Sequence, residues 1–287
     1  MQQKITPSLL LEKKKEGQKI TMLTAYDALF ASLLDGEVDI ILVGDSVGNV
    51  LLGYEDTLNV SMQDILHHTR AVKRKVSKSM VVADMPFMSY QISIEEALKN
   101  ASLLIKEADA DAVKLEVSKD NLDVVEALIK SGIPVMGHIG LLPQTFLLAG
   151  SFSVKGKSYQ EGVNLCEVAR ALQDLGCFSI VLECIPYKLA HLISENLKIP
   201  TIGIGSGPGC DGQVLVLYDL LGFFEDTPRF VRKYRNWKED FKQVIKEFKE
   251  DVISGRFPSL KESYNMNEDI FQKIKRHVFG GFNSTSS

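Results

Sequence analysis

The sequence lacks any apolar stretch that approaches the roughly 18 consecutive residues of a membrane-spanning helix. The N-terminal segment, MQQKITPSLLLEKKKEG, also lacks the long apolar core of a secretory signal. We therefore expect a soluble protein of the cytoplasm.

Cysteine is scarce, with only Cys166, Cys177, Cys184 and Cys210 in 287 residues. No two of them form a CxxC pair, and their spacing does not match a zinc site. A chain of this length buries enough apolar surface to fold without disulfides. We expect four free thiols.

A strong excess of charge is missing as well, because the formal net charge is only −4. Nothing therefore points to nucleic acid or a membrane surface as a partner. A small anionic substrate would need a local positive group or a metal ion.

What the sequence does contain is a regular alternation of short apolar runs and amphipathic segments. Such runs, rich in Val and Ile, are typical of parallel strands covered by helices on both sides. An α/β fold follows, and eight βα units would close a (β/α)8 TIM barrel, while a doubly wound open sheet is the alternative. The seven predicted strands are 19–25, 38–44, 80–84, 111–117, 133–137, 178–183 and 199–205.

The remaining elements are less regular. We place a weak eighth strand at Phe230–Tyr234, before a helix that starts near Trp237. Ser61 is a predicted helix N-cap, and Ser93 with Glu96 fits a capping box. No linker divides the chain, so we predict one catalytic domain over residues 1–265 and a partly disordered extension over 266–287.

Ionisable side chains stand at the carboxyl ends of five predicted strands, which is the active-site face of an α/β barrel. A single polar strand end is usually a helix cap or a loop residue, whereas several together indicate a site. The residues are Asp45, Asp84, Lys114, Glu116, His138 and Glu183.

The alternation of side chains along a strand indicates which of these residues point inward. Lys114 and Glu116 share a face with Ala112, and Glu183 shares a face with Ser179. We expect these faces to line the barrel interior. An ion pair between Lys114 and Glu116 is the structural alternative.

Three of the residues are hard oxygen donors, namely Asp45, Asp84 and Glu116. A site of few carboxylates suits Mg²⁺ or Mn²⁺ and argues against zinc. His138 is a weaker candidate for a ligand or hydrogen-bond donor. The glycine-rich loop 203–213 either binds phosphate or forms a tight βα turn, and we favour the turn.

Long ungapped motifs between about residues 20 and 235 resemble those of the ketopantoate hydroxymethyltransferase family. They include ILVGDSVGNVLLGYEDTLNVSMQDILHHTRAVKR (41–74), VVADMPFMSYQ (81–91), AVKLEV (112–117), GIPVMGHIGLLPQ (132–144), VLECIP (181–186) and IPTIGIGSGPGCDGQVLVLYDLLG (199–222). The resemblance implies a barrel of the phosphoenolpyruvate/pyruvate group. It also implies the transfer of a one-carbon unit from 5,10-methylenetetrahydrofolate to 3-methyl-2-oxobutanoate, giving 2-dehydropantoate on the way to pantothenate.

The resemblance further implies roles for individual residues. Asp45, Asp84 and Glu116 match the ligands of one Mg²⁺ per subunit, and Asp45 and Asp84 also match substrate contacts. Ser46 and Lys114 match groups that hold the substrate. His138 matches an active-site histidine, and Glu183 matches the catalytic base.

Two alternatives remain open. A carbon–carbon lyase or mutase of the related oxo-acid barrels would use the same metal chemistry. A non-catalytic scaffold would have lost the acidic residues, all of which are present. The family forms homo-oligomers, so we expect one here, with a small oxo acid and a folate as the only other partners.

Overall fold

The computed structural model of the protein describes residues 3–145 and 153–280. Eight parallel strands close into a barrel in sequence order, because β1 pairs with both β2 and β8. The predicted (β/α)8 fold is confirmed. The strands are β1 Ile20–Thr24, β2 Ile40–Val43, β3 Met80–Asp84, β4 Ala112–Glu116, β5 Val135–Gly140, β6 Ser179–Glu183, β7 Thr201–Ile204 and β8 Gly212–Leu215.

Helices up to residue 235 pack around the barrel, and further helices come later in the chain. The helices are α1 Pro7–Lys15, α2 Ala28–Leu34, α3 Met62–Lys73, α4 Ile94–Lys106, α5 Leu122–Lys130, α6 Tyr159–Leu175, α7 Tyr187–Asn196, α8 Leu217–Leu221, α9 Trp237–Ile253 and α10 Glu268–Phe279. Short helical turns lie at Gly48–Leu52, Lys119–Asn121, Pro143–Thr145 and Leu260–Glu262.

Local capping explains where two of these helices begin. Ser61 caps α3 and forms a capping box with Asp64. Ser93 accepts a hydrogen bond from the Glu96 backbone N–H at 3.1 Å and so caps α4 as predicted. The Glu96 carboxylate accepts from Asn100 at 3.4 Å, so only the Ser93 half of the predicted box is observed.

Two layers of apolar side chains hold the barrel. Alternate strand residues point inward and fill its interior, and Leu10 of α1, which is fully buried, belongs to the same cluster. The opposite faces of the strands pack against the helices. The interior set includes Met22, Ile40, Met80, Val82, Ala112, Met136, Val181, Ile202 and Val214.

The predicted position of the eighth strand was wrong. Phe230–Tyr234 forms turns and irregular backbone, whereas β8 is Gly212–Leu215 and begins at the end of the loop 203–213 that we predicted to be a glycine-rich turn. Only Val214 supplies a buried apolar side chain to this strand, so it has almost no hydrophobic signature. Its pairing with β1 and β7 defines it instead.

The chain divides into two compact units, Met1–Arg235 and Asn236–Ser287. The first contains the barrel, and the second contains α9 and α10. The predicted boundary after residue 265 differs from this division, and residues 281–287 of the predicted tail lie outside the described residues.

The described residues contain no helix with the length and apolar character that a membrane span requires. All four cysteines are free, as expected.

Candidate active site

Strand register brings the predicted residues together at one end of the barrel. Asp84 of β3 is the register partner of Lys114 on β4, and Glu116 is the partner of His138 on β5. Glu183 ends β6. His138 lies within β5, whereas we had placed it just after the strand.

These strand ends surround a cavity of about 240 Å³ that opens at the carboxyl ends of the strands. Six of the seven predicted site residues line it, and Glu116 is the exception. Its lining is Thr24, Leu42, Asp45, Ser46, Asn49, Asp56, Thr57, Asp84, Lys114, His138, Pro143, Val181, Glu183, Ile204, Val214, Val216, Asp219, Pro228 and Phe230.

Lys114 is the buried cation of the site, and its Nζ lies 2.7 Å from Asp84 Oδ1. Burial raises the pKa of Asp84 to about 7, with Asp45 adding to the rise, although Lys114 opposes it. Burial lowers the pKa of Lys114, but Asp84 and Asp45 outweigh it, so the net shift is upward and the ammonium stays charged. Lys114 therefore pairs with Asp84, and not with Glu116 as in the structural alternative considered from the sequence.

Glu116 completes a group of three carboxylates around a single ammonium. Its Oε1 accepts from the Gln144 backbone N–H at 3.0 Å, and its Oε2 has no hydrogen-bond partner among the described residues. Burial and the nearby Asp45 raise the pKa of Glu116 well above its usual range. Ionisation of all three acids would therefore place more buried negative charge here than Lys114 can balance.

This donor set fits a hard divalent cation. Mg²⁺ often binds through one or two carboxylates, with water and substrate oxygens completing the shell. Asp45 and Asp84 both line the cavity, as such an open site requires. Residues 3–145 and 153–280 contain no group of three or more His, Cys, Asp or Glu side chains that is already arranged to hold a metal ion.

The contacts of the His138 ring establish which of its nitrogens carries a proton. Its Nδ1 lies 3.5 Å from Lys114 Nζ, and its Nε2 lies 3.0 Å from Glu183 Oε2. Burial and Lys114 lower the pKa of His138, so the ring is neutral. An ammonium can only donate, so Nδ1 accepts and the proton sits on Nε2. This N–H lies close to the Glu183 carboxylate but is not aligned for a hydrogen bond with any described residue.

Sequence reasoning did not single out two buried residues that contact the predicted site. Tyr26 Oη lies 2.8 Å from Ser46 Oγ, and burial raises the pKa of Tyr26 so that it stays protonated. Gln144 donates from Nε2 to Asp45 Oδ2 at 3.0 Å. Gln144 lies within the motif quoted above as GIPVMGHIGLLPQ, but a motif does not show which atoms meet.

The sequence model of ketopantoate hydroxymethyltransferase matches residues 4–260. The chain belongs to this family. A 3-methyl-2-oxobutanoate hydroxymethyltransferase of Syntrophus aciditrophicus (strain SB) is 52% identical over 263 residues, which cover 91% of this chain and 97% of the relative. One of Acetivibrio thermocellus is 48% identical over 281 residues, covering 97% and 99%.

Solved structures support the same fold at much lower identity. A phosphonopyruvate hydrolase matches with a TM-score of 0.60 and 11% identity, covering 97% of this chain and 99% of its own. A 2,3-dimethylmalate lyase, a member of the PEP mutase/isocitrate lyase superfamily, matches with a TM-score of 0.58 and 14% identity, covering 94% and 98%. At this identity the likeness establishes the barrel type alone.

Membership of the ketopantoate hydroxymethyltransferase family makes the chain an enzyme, a one-carbon transferase of pantothenate biosynthesis. The roles of Asp45, Ser46, Asp84, Lys114, Glu116, His138 and Glu183 remain predictions.

Proposed function

We propose that the cavity binds 3-methyl-2-oxobutanoate next to Mg²⁺ and transfers to it the one-carbon unit of 5,10-methylenetetrahydrofolate. The carbon beside the ketone would lose its proton and then attack the methylene carbon of the folate. A carbon–carbon bond forms, and both bonds from the methylene carbon to the two folate nitrogens break. Water supplies the new hydroxyl group, and the substrate proton and the second water proton end on the two nitrogens. The products are 2-dehydropantoate and tetrahydrofolate.

The residues of the cavity suit these steps. Lys114 is a buried cation that can hold the substrate carboxylate, and Ser46, which is hydrogen-bonded to Tyr26, lines the same cavity. Asp45 and Asp84 would hold the metal ion, with Glu116 behind them. A bound Mg²⁺ would act as a Lewis acid that stabilises negative charge on the substrate oxygens.

Glu183 is the proposed base. It lines the cavity, and its side chain retains 16% exposure, so a substrate can reach it. His138 Nε2 lies 3.0 Å from Glu183 Oε2, so a neutral ring N–H stands beside the proposed base. A base must lie within hydrogen-bond reach of the proton that it removes, and Glu183 at the end of β6 meets this need for a substrate bound in the cavity.

The observation that carries the proposal is the group of buried carboxylates with too little positive charge beside an accessible Glu183. Enolisation of a 2-oxo acid creates negative charge, which a metal at these carboxylates would stabilise.

The test is to incubate the protein with 3-methyl-2-oxobutanoate in D₂O and follow the proton beside the ketone by NMR. We expect Mg²⁺-dependent exchange that a chelator abolishes, and product only after methylenetetrahydrofolate is added. If a folded, metal-loaded sample gives neither exchange nor product, the proposal fails, and cleavage of isocitrate or 2-methylisocitrate would be assayed next.

We also propose that the enzyme is a cytoplasmic homo-oligomer. Apolar side chains stay exposed on α9, with Val244 at 64% and Ile245 at 62%, and a second copy could cover them. Sedimentation of the purified protein would give the number of subunits.

A further inference from the structure

Gln144 is a buried side chain, 3% exposed, in the middle of the short turn Pro143–Thr145 that follows β5. Its Nε2 donates to Asp45 Oδ2 and to Met85 O, both at 3.0 Å. Its Oε1 accepts from Tyr90 Oη at 2.8 Å and from Gln91 Nε2 at 3.3 Å. Both amide protons and the amide oxygen are therefore used.

These partners fix which way the amide faces. Asp45 Oδ2 and Met85 O can only accept, so they require the NH₂ group of Gln144. The Gln91 amide nitrogen can only donate, so it requires the Gln144 oxygen. A flipped amide would place oxygen against two acceptors, and the observed orientation is the only one that satisfies all the partners.

The same residue also reaches Glu116 through its main chain. The Gln144 backbone N–H donates to Glu116 Oε1 at 3.0 Å, and Tyr90 Oη accepts from the Glu116 backbone N–H at 3.2 Å. Gln144 and Tyr90 thus connect the end of β4 to Asp45, which follows β2. These are two of the three carboxylates that we assign to the metal site.

We infer that Gln144 is a positioning residue that holds Asp45 and Glu116 in the orientation needed to bind the divalent cation. Its side chain uses Asp45 Oδ2 and leaves Oδ1 for the ion, and its main chain uses Glu116 Oε1 and leaves Oε2 without a partner. The inference rests on the proposed function, because it concerns the same metal site.

A variant without the Gln144 amide should bind the metal ion more weakly, but it should keep every side chain that takes part in the reaction. Partners that orient metal ligands are typically worth about 10- to 100-fold in metal affinity or activity. Gln144 contacts the carboxylates and not the substrate. The variant should therefore need a higher metal concentration for half-maximal activity. Its kcat at saturating metal should equal that of the wild type.

The experiment compares Gln144→Met, which keeps the length of the side chain, with Gln173→Met as the matched control. Gln173 lies on α6 and accepts from the backbone N–H of Lys198, away from the cavity. Mn²⁺ binding without substrate, followed by electron paramagnetic resonance, gives the affinity directly, and thermal melts without metal report folding. We expect about 10- to 100-fold weaker Mn²⁺ binding for Gln144→Met and wild-type binding for Gln173→Met.

Tyr90→Phe gives a second route to the same test, because it removes the hydroxyl that holds the Gln144 oxygen but keeps the ring. Weaker Mn²⁺ binding in Tyr90→Phe supports the inference even if Gln144→Met does not fold. Wild-type Mn²⁺ affinity in a folded Gln144→Met, or in Tyr90→Phe where the first does not fold, overturns it. Failure of the wild-type enzyme to bind Mn²⁺ would instead overturn the proposed function.

Discussion

Glu183 carries the clearest prediction at the scale of single residues. Glu183→Gln keeps the size of the side chain that lies beside His138 Nε2, so the cavity should keep its shape. An amide cannot take up a proton at working pH. We therefore expect solvent exchange of the substrate proton and turnover to fall by on the order of 100-fold or more, with metal binding retained.

Glu167→Gln is the matched control for that variant. This variant makes the same change from acid to amide at Glu167, which lies on the exposed surface of α6 and pairs with Lys119. Exchange of the substrate proton in D₂O is followed by NMR for both variants at equal Mg²⁺. We expect slow exchange for Glu183→Gln and wild-type exchange for Glu167→Gln. Wild-type exchange in Glu183→Gln would remove Glu183 from the role of base.

The types of residue at the site could be predicted from the sequence, but their contacts could not. Asp45, Asp84 and Glu183 stand where strands end, and that position alone marks them as candidates. The pairing of Lys114 with Asp84 depends on the register between β3 and β4, which the alternation within one strand does not define. Gln144 is a loop residue whose five contacts come from four separate segments, so no periodic pattern could indicate it.

At the scale of elements, the seven strands predicted from apolar runs are all present, because most of their side chains are buried and apolar. The eighth strand was not predicted at its observed position, because Gly212 contributes no side chain to an apolar pattern. A Cβ at Gly212 would lie 2.5 Å from the Ile20 carbonyl oxygen, so glycine is needed where β8 approaches β1. Close packing of two backbones leaves no hydrophobic signature in a sequence.

Gly140, at the end of β5, lies similarly close to the backbone of β6. This contact supports a prediction about β6, which ends at Glu183. The φ of Gly140 is +105°, and a Cβ there would lie 2.1 Å from the carbonyl oxygen of Glu183. That oxygen also accepts from the Leu141 backbone N–H at 2.8 Å. Gly140→Ala should therefore force β5 and β6 apart, costing at least about 2 kcal/mol of folding free energy and displacing Glu183.

Gly132→Ala is the control for backbone strain. Gly132 has a φ of +83° with no atom within 4 Å of its ideal Cβ, so only the conformational penalty applies. Urea unfolding should show a clearly larger loss for Gly140→Ala, together with lower activity of the folded fraction. Equal losses for the two variants would show that the contact with Glu183 is not the cause.

At the scale of the whole molecule, the two ends of the barrel have different tasks. The cavity and its poorly balanced carboxylates lie at the carboxyl ends of the strands. Near the opposite ends, carboxylates are paired with lysines, as in Lys13 with Asp39 and Lys14 with Asp211. In an α/β barrel that end serves stability.

Asp111 is the centre of the largest of these groups and gives a prediction about pH. It pairs with Lys4 and with Lys73, whose Nζ is 2.8 Å away, and it accepts from the Val81 backbone N–H at 2.8 Å. Burial raises the pKa of Asp111, but these hydrogen bonds outweigh it and hold the pKa below its usual value. Asp111 thus joins the N-terminal segment, the end of α3 and β3.

A carboxyl whose pKa is lower in the folded state stabilises the fold above the unfolded pKa of about 3.9, and this contribution is lost as the pH falls through the folded value. Asp111→Asn should therefore cost about 1–3 kcal/mol at pH 7, and the difference from wild type should narrow progressively below about pH 5. Asp109→Asn is the control, because that side chain is 84% exposed and lies 3.9 Å from Lys73. Urea unfolding between pH 7 and pH 3.5 measures the free energy of unfolding of both variants and of the wild type. If the difference between Asp111→Asn and the wild type stays constant with pH, Asp111 contributes through packing and not through its charge.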